Sequence, residues 1–107
     1  MKANSYDEEA YNAWLNNPER DKNETESIKE QCTMLDGYMF SRENLPSYNL
    51  VPDPKSSEEI QSELASMYPV DAEVIAKYML LHEFTTVTVE DGSIKWAIWR
   101  EMKPIQL

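Results

Sequence analysis

Apolar residues recur along this chain with two periods, one helical and one of a β-hairpin. The alternation is sharpest near the C-terminus. Thr85-Thr86-Val87-Thr88-Val89-Glu90 and Ser93-Ile94-Lys95-Trp96-Ala97-Ile98-Trp99 flank Asp91-Gly92. Asp-Gly between two alternating runs is the strongest short hairpin signal. A two-residue type I′ turn there pairs Glu90 with Ser93, Val89 with Ile94, Thr88 with Lys95 and Val87 with Trp96. One face then carries Val87, Val89, Ile94, Trp96 and Ile98 and is expected in the core. The other carries Thr86, Thr88, Glu90, Ser93 and Lys95. Trp99 falls on the polar face near Phe84, to be covered by the N-terminal helix or by a partner.

Helical spacing precedes the hairpin. Ser56 and Glu59 have capping-box spacing, and Ile60, Leu64 and Met67 follow at i, i+4, i+7. Tyr68-Pro69-Val70 breaks that helix, and Asp71 is placed to cap the next. Val74, Ile75, Tyr78, Met79 and Leu81 give this second helix a broad apolar face, which marks it as central to the core. Near the N-terminus, Ser5 and Glu8 repeat the capping-box spacing ahead of a Tyr11, Trp14, Leu15 stripe. Asn16-Asn17-Pro18 should end that helix. A further helix is expected over about 24–36, reaching back to 18 at most. It carries Ile28, Cys32 and Leu35 inward, with Gly37 as its C-terminal cap. Between the halves, Pro46, Pro52 and Pro54 make 41–57 a surface connector with room for a short strand.

These elements add up to an α+β class, with about four short helices followed by a C-terminal β-hairpin. They fit one domain over 1–107, with a helical N-terminal region over 1–40, the connector over 41–57, and helix-turn-helix plus hairpin over 58–107. Hydrophobic residues make up 41% of the 107, enough for a modest core.

Charge narrows the function. The chain has 20 Asp plus Glu against 10 Lys plus Arg, a formal net charge of -10. Such a surface repels nucleic acid and anionic lipid and attracts basic proteins. No apolar run approaches a membrane span, and Met1 to Glu9 has no signal-peptide core, so a cytoplasmic protein is expected.

Helix, short turn, helix, then hairpin, here Glu58–Met67, Tyr68–Val70, Asp71–Glu83 and Thr85–Trp99, resembles a winged helix-turn-helix. The resemblance covers the C-terminal half and rests on element order alone. It implies that the helix from Asp71 reads a DNA groove and that the hairpin touches phosphate. This sequence departs from that pattern. The helix opens with Asp71 and Glu73 and has Lys77 as its only base, and the hairpin tip is Glu90-Asp91. Pro69 stands where the family commonly has Gly. Winged helices also serve as protein-interaction modules, which the acidity favours.

Catalytic and metal chemistry find little support. One cysteine, Cys32, and one histidine, His82, cannot make a Cys/His zinc site, and Cys32 sits at a core period. Neither an enzyme nor a cofactor is expected. The candidate partner-binding residues are Asp7, Glu8, Glu9, Glu19, Asp21, Glu24, Glu26 and Glu30, interleaved with Arg20, Lys22 and Lys29 and read either as a solvated face or as an acidic ridge along two helices, with Trp99 added from the hairpin. Of the aromatics near those acids, Trp14 is expected in the core, while Tyr6 and Tyr38 stay open. The expected function is a small acidic inhibitor or adaptor of a basic nucleic-acid-binding protein, in the manner of a nucleic-acid mimic. By analogy alone, a phage-encoded antagonist of host defence is one expected form of such a protein. A winged-helix DNA-binding regulator is the alternative, and homodimerisation through apolar surface is a third reading.

Overall fold

The computed structural model describes residues 7–101 of the chain. Helix α1 spans Glu8–Leu15 and is capped by Asp7, whose Oδ1 accepts from the Ala10 N–H at 3.1 Å. The expected cap, Ser5, lies outside the described residues, and Glu8 stands at the first helical position rather than the third. Helix α2 spans Lys22–Met39 and is longer than its pattern suggested. Gly37 lies inside it and does not cap it. Met39, 1% exposed, anchors the last turn in the core. That burial outweighs the roughly 1 kcal/mol a helical glycine costs.

Strand β1 (Arg42–Glu43) and strand β2 (Leu50–Pro52) come from the segment read as a connector, and both are integral to a sheet. Helix α3 spans Ser57–Leu64 with the expected capping box from Ser56 and Glu59. Helix α4 spans Ala72–Leu81. Asp71 occupies its N-cap position but makes no side-chain capping bond. Strands β3 (Thr86–Thr88), β4 (Ile94–Trp96) and β5 (Trp99–Glu101) complete the fold. Among the described residues, four helices and small antiparallel sheets with a C-terminal hairpin make this an α+β protein, and the helix–turn–helix–hairpin order is present.

The hairpin register differs from the expected one by a residue. Thr86 pairs with Trp96, Val87 with Lys95 and Thr88 with Ile94. The turn is a three-residue loop, Glu90-Asp91-Gly92, closed by Gly92 N–H to Val89 O and Val89 N–H to Ser93 O, both 2.9 Å. Gly92 has φ +89°, while Asp91 does not take the positive φ that a type I′ turn also requires there. Instead the Asp91 carboxylate accepts from the N–H and hydroxyl of Ser93. The slip moves Val87 and Ile94 off a common face. Val87 is 41% and Ile94 66% exposed, so the expected hairpin core is reduced to Trp96 and Ile98.

Residues 94–101 act as one bent strand with partners on both edges. β3 lies along one edge at 94–97, reaching Ala97 N–H to Thr85 O. On the other edge β2 pairs with β5, and the ladder continues through Asp53 N–H to Ile98 O and a Lys55–Trp96 bridge. β1 pairs with β5 as well, giving the order β1-β5-β2.

The helices pack over this strand. Gln31 meets Asp71 and Asp36 meets Tyr78, so α2 and α4 run parallel. Tyr11 packs its ring on Tyr78 and His82 while Trp14 lies beside residues 71–74, so α1 runs back along α4. Leu35, Met39, Ile60, Leu64, Ile75, Met79 and Ile98 form the fully buried centre. Asn44, itself buried, donates its amide to His82 O at 2.9 Å and so closes the C-terminal end of α4. No helix among the described residues is long and apolar enough to cross a membrane.

Candidate functional site

All eight acids of the expected ridge are exposed. They do not form one ridge. Asp7, Glu8 and Glu9 open α1, beside the C-terminal end of α4. Glu19 and Asp21 lie in the link to α2, and Glu24 is on the first turns of α2 beside the N-terminal end of α4. The eight residues of α1 separate the two groups by about 12 Å. That is more than the screening length of about 8 Å at physiological salt, so the groups act as two patches. Glu26 and Glu30 continue along α2. Glu30 is also a structural tie, because its carboxylate accepts from the Tyr68 hydroxyl at 2.5 Å and raises the pKa of that phenol.

The bases are distributed differently. Lys55 Nζ lies 2.7 Å from Glu63 and 4.0 Å from Asp53, Lys95 Nζ 2.7 Å from Glu59, and Arg100 Nε 3.0 Å from Asp53. The hydrogen bond to Glu63 raises the Lys55 pKa, and the one from Lys95 holds Glu59 down to about 2. Glu63 is pushed up by desolvation, but its bonds to Lys55 and Tyr38 overcome this and leave it lowered. Tyr38 is half-buried, with its hydroxyl donating to Glu63 at 2.8 Å. Burial and that bond raise the Tyr38 pKa. The Arg42 guanidinium lies 3.8 Å over the Tyr38 ring, and Arg20 lies 5.8 Å over Trp14. These five bases are held against carboxylates or aromatic faces. The outward side of α4 offers Glu73, Lys77 and Leu80, and the hairpin tip offers Glu90 and Asp91.

Trp99 is half-buried in β5, between Glu43 on β1 and Pro52 on β2. Its backbone is thus flanked by strands on both sides, where the sequence offered the N-terminal helix or a partner as the cover for its side chain. Trp14 is half-buried against the core rather than within it, and Tyr6 lies outside the described residues.

Cys32 and His82 belong to one buried aromatic cluster. Burial pushes the Cys32 thiol up to about 11, while its hydrogen bond to Tyr11 works the other way. The thiol is protonated at neutral pH and is a poor nucleophile. The His82 ring stacks on Tyr78 at 3.9 Å and meets the Tyr11 edge at 4.6 Å. Burial raises the Tyr78 pKa, and its hydroxyl's donation to Asp36 at 2.5 Å adds to this. Among the described residues, no group of three His, Cys, Asp or Glu side chains is placed to hold a metal.

Sequence reasoning missed Gln31 and Asn44, both polar and buried. Neither breaks an apolar period, so only their partners reveal them. It also missed an open groove beside Trp14, at the start of α4. Comparison with known proteins finds no matching family model, no matching curated protein and no matching solved structure.

Proposed function

We propose that this chain is a small non-catalytic binding module, an inhibitor or adaptor acting in the cytoplasm on a basic, nucleic-acid-binding protein. The disposition of charge carries this reading. The N-terminal acids stand in solvent, while Lys55, Lys95 and Arg100 are held by Asp53, Glu59 and Glu63. Over the N-terminal helices the eight acids outnumber the interleaved Arg20, Lys22 and Lys29, so the net negative potential there steers a positively charged partner into encounter. A DNA reader needs Lys and Arg available to phosphate on its recognition helix and wing. Here α4 presents Glu73 and Lys77 together, and the hairpin lysine, Lys95, is engaged by Glu59. The DNA-binding alternative is disfavoured on that ground.

Two measurements test this. Fluorescence anisotropy with random and genomic duplexes is expected to give no sub-micromolar binding near physiological salt. Tight binding that weakens with salt overturns the proposal in favour of a winged-helix regulator. For a partner captured from the source cell, Glu8→Lys with Glu9→Lys and Glu24→Lys with Glu26→Lys should slow association more than dissociation. Glu90→Lys with Asp91→Lys, at the hairpin, is the control of equal charge.

A further inference from the structure

A groove of about 680 Å³ opens between Trp14, the first half of α2 and the first two turns of α4. That volume lies within the range of roughly 300–1,000 Å³ typical of ligand sites. Its lining includes Ile28 and Val74, 8% and 7% exposed, and the half-buried Trp14. Glu24, Asp71 and Glu73 stand along it, against Arg20 and Lys77. Asp71 is positioned from α2 and not by its own helix. Its N–H donates to Gln31 Oε1 at 2.8 Å, and its Oδ2 lies 3.4 Å from Gln31 Nε2. Gln31 is buried and held in turn by Ser27 Oγ at 3.1 Å. The Asp71 carboxylate thus stays at the groove, where an N-cap aspartate would otherwise fold back over its first turn.

One cation already occupies this setting. The Arg20 guanidinium lies 5.8 Å from the Trp14 ring centroid, and its Nη1 donates to Leu15 O at 3.3 Å. We infer that the groove is the docking site for an arginine side chain of the basic partner, which takes the place over Trp14 that Arg20 holds in the free protein. The inference rests on the basic-partner reading above and assigns it a site. The aromatic face and apolar lining receive the planar guanidinium and its stem, and the three carboxylates receive the charge. Arginine fits better than lysine because its flat fork both stacks on a ring and pairs with carboxylate oxygens. Arg20 is then a resident competitor, and removing it should tighten binding.

The test is a titration of the full chain with a fluorescent oligoarginine peptide, read by anisotropy and by amide shifts. Glu24→Gln with Asp71→Asn should weaken binding roughly tenfold, about one charge-assisted contact. The same charge loss at Glu8→Gln with Glu9→Gln should change it less than about twofold. Arg20→Ala should tighten binding more than Lys29→Ala, an equal charge change away from the groove. Shifts should centre on Gln31, Ala72 and Lys77. Equal weakening by the two acid pairs, equal effects of Arg20→Ala and Lys29→Ala, or shifts confined elsewhere overturn the groove and leave the basic partner standing. No binding of the peptide at low salt overturns both. Asp71→Asn keeps an acceptor for Gln31, so the fold is expected to survive, as circular dichroism can verify.

Discussion

Trp96→Ala probes the region of the fold where register and packing meet. The indole is 9% exposed, its Nε1–H donates to Ser57 Oγ at 2.9 Å, and its backbone is bridged to Lys55. Burying a large aromatic removes some 150–250 Å² from water, worth about 4–6 kcal/mol at 25 cal/mol/Å². The unfolded chain already buries some of that area, so about 3–5 kcal/mol is expected. The unfolding entropy for a chain of this size makes 1 kcal/mol worth roughly 4 °C, so the melting temperature should fall by about 12–20 °C. Ser57→Ala isolates the indole hydrogen bond and should cost about 1 kcal/mol. Val87→Ala and Ile94→Ala should each cost less than about 0.5 kcal/mol, because both side chains are largely in solvent. Thermal unfolding followed by far-ultraviolet circular dichroism measures all four. A two-residue turn would bring Val87 onto the face of Ile94 and Trp96 and make that face the core. Losses of roughly 2 kcal/mol at those two positions, or a Trp96→Ala shift below about 4 °C, would refute the register and the packing argued from it.

The two glycines should respond in opposite directions. Gly37 is helical with no atom within 4 Å of an added Cβ, so Gly37→Ala should stabilise by roughly 0.5–1 kcal/mol. Gly92 has φ +89°, so Gly92→Val should destabilise by about 1–2 kcal/mol, and a melting temperature unchanged in either variant contradicts its backbone assignment. Glu59 is held at about 2 by Lys95, below its ordinary 4.5. A depressed carboxyl contributes stability that is complete above about pH 4.5 and is lost as the pH falls toward 2. Urea unfolding at about pH 7 and about pH 3 should therefore show a smaller acid loss in Glu59→Gln than in the parent. Screening at this half-exposed pair keeps the difference modest, and equal losses would remove Glu59 from the account.

Local chemistry made much of this protein legible in sequence. Ser56 and Glu59 cap α3 as their spacing implied, because a capping box uses only atoms within one turn. Ile28, Cys32, Leu35, Ile60, Leu64, Val74, Ile75, Tyr78 and Met79 are buried as their helical periods required, whereas Met67, on the same period as Ile60 and Leu64, lies past the end of α3 and is 68% exposed. The -10 charge, which frames the proposed partner, is a sum over the chain and needs no fold. What depends on distant contacts could only come from tertiary structure. α2 runs through Gly37 because Met39 is buried in a core that its own helix does not contain. The connector becomes β1 and β2 because β5, far along the chain, offers unpaired edges. The hairpin slips by one residue because a three-residue loop relieves Asp91 of positive φ, and Trp96 still reaches the core through Ser57 on α3. The acidic series divides into two patches because α1 runs back along α4. Lys55, Lys95 and Arg100 look like available cations in the sequence, and only the approach of Asp53, Glu59 and Glu63 in space neutralises them. Charge along a chain is additive, but the field that a partner meets depends on which charges the fold has already paired.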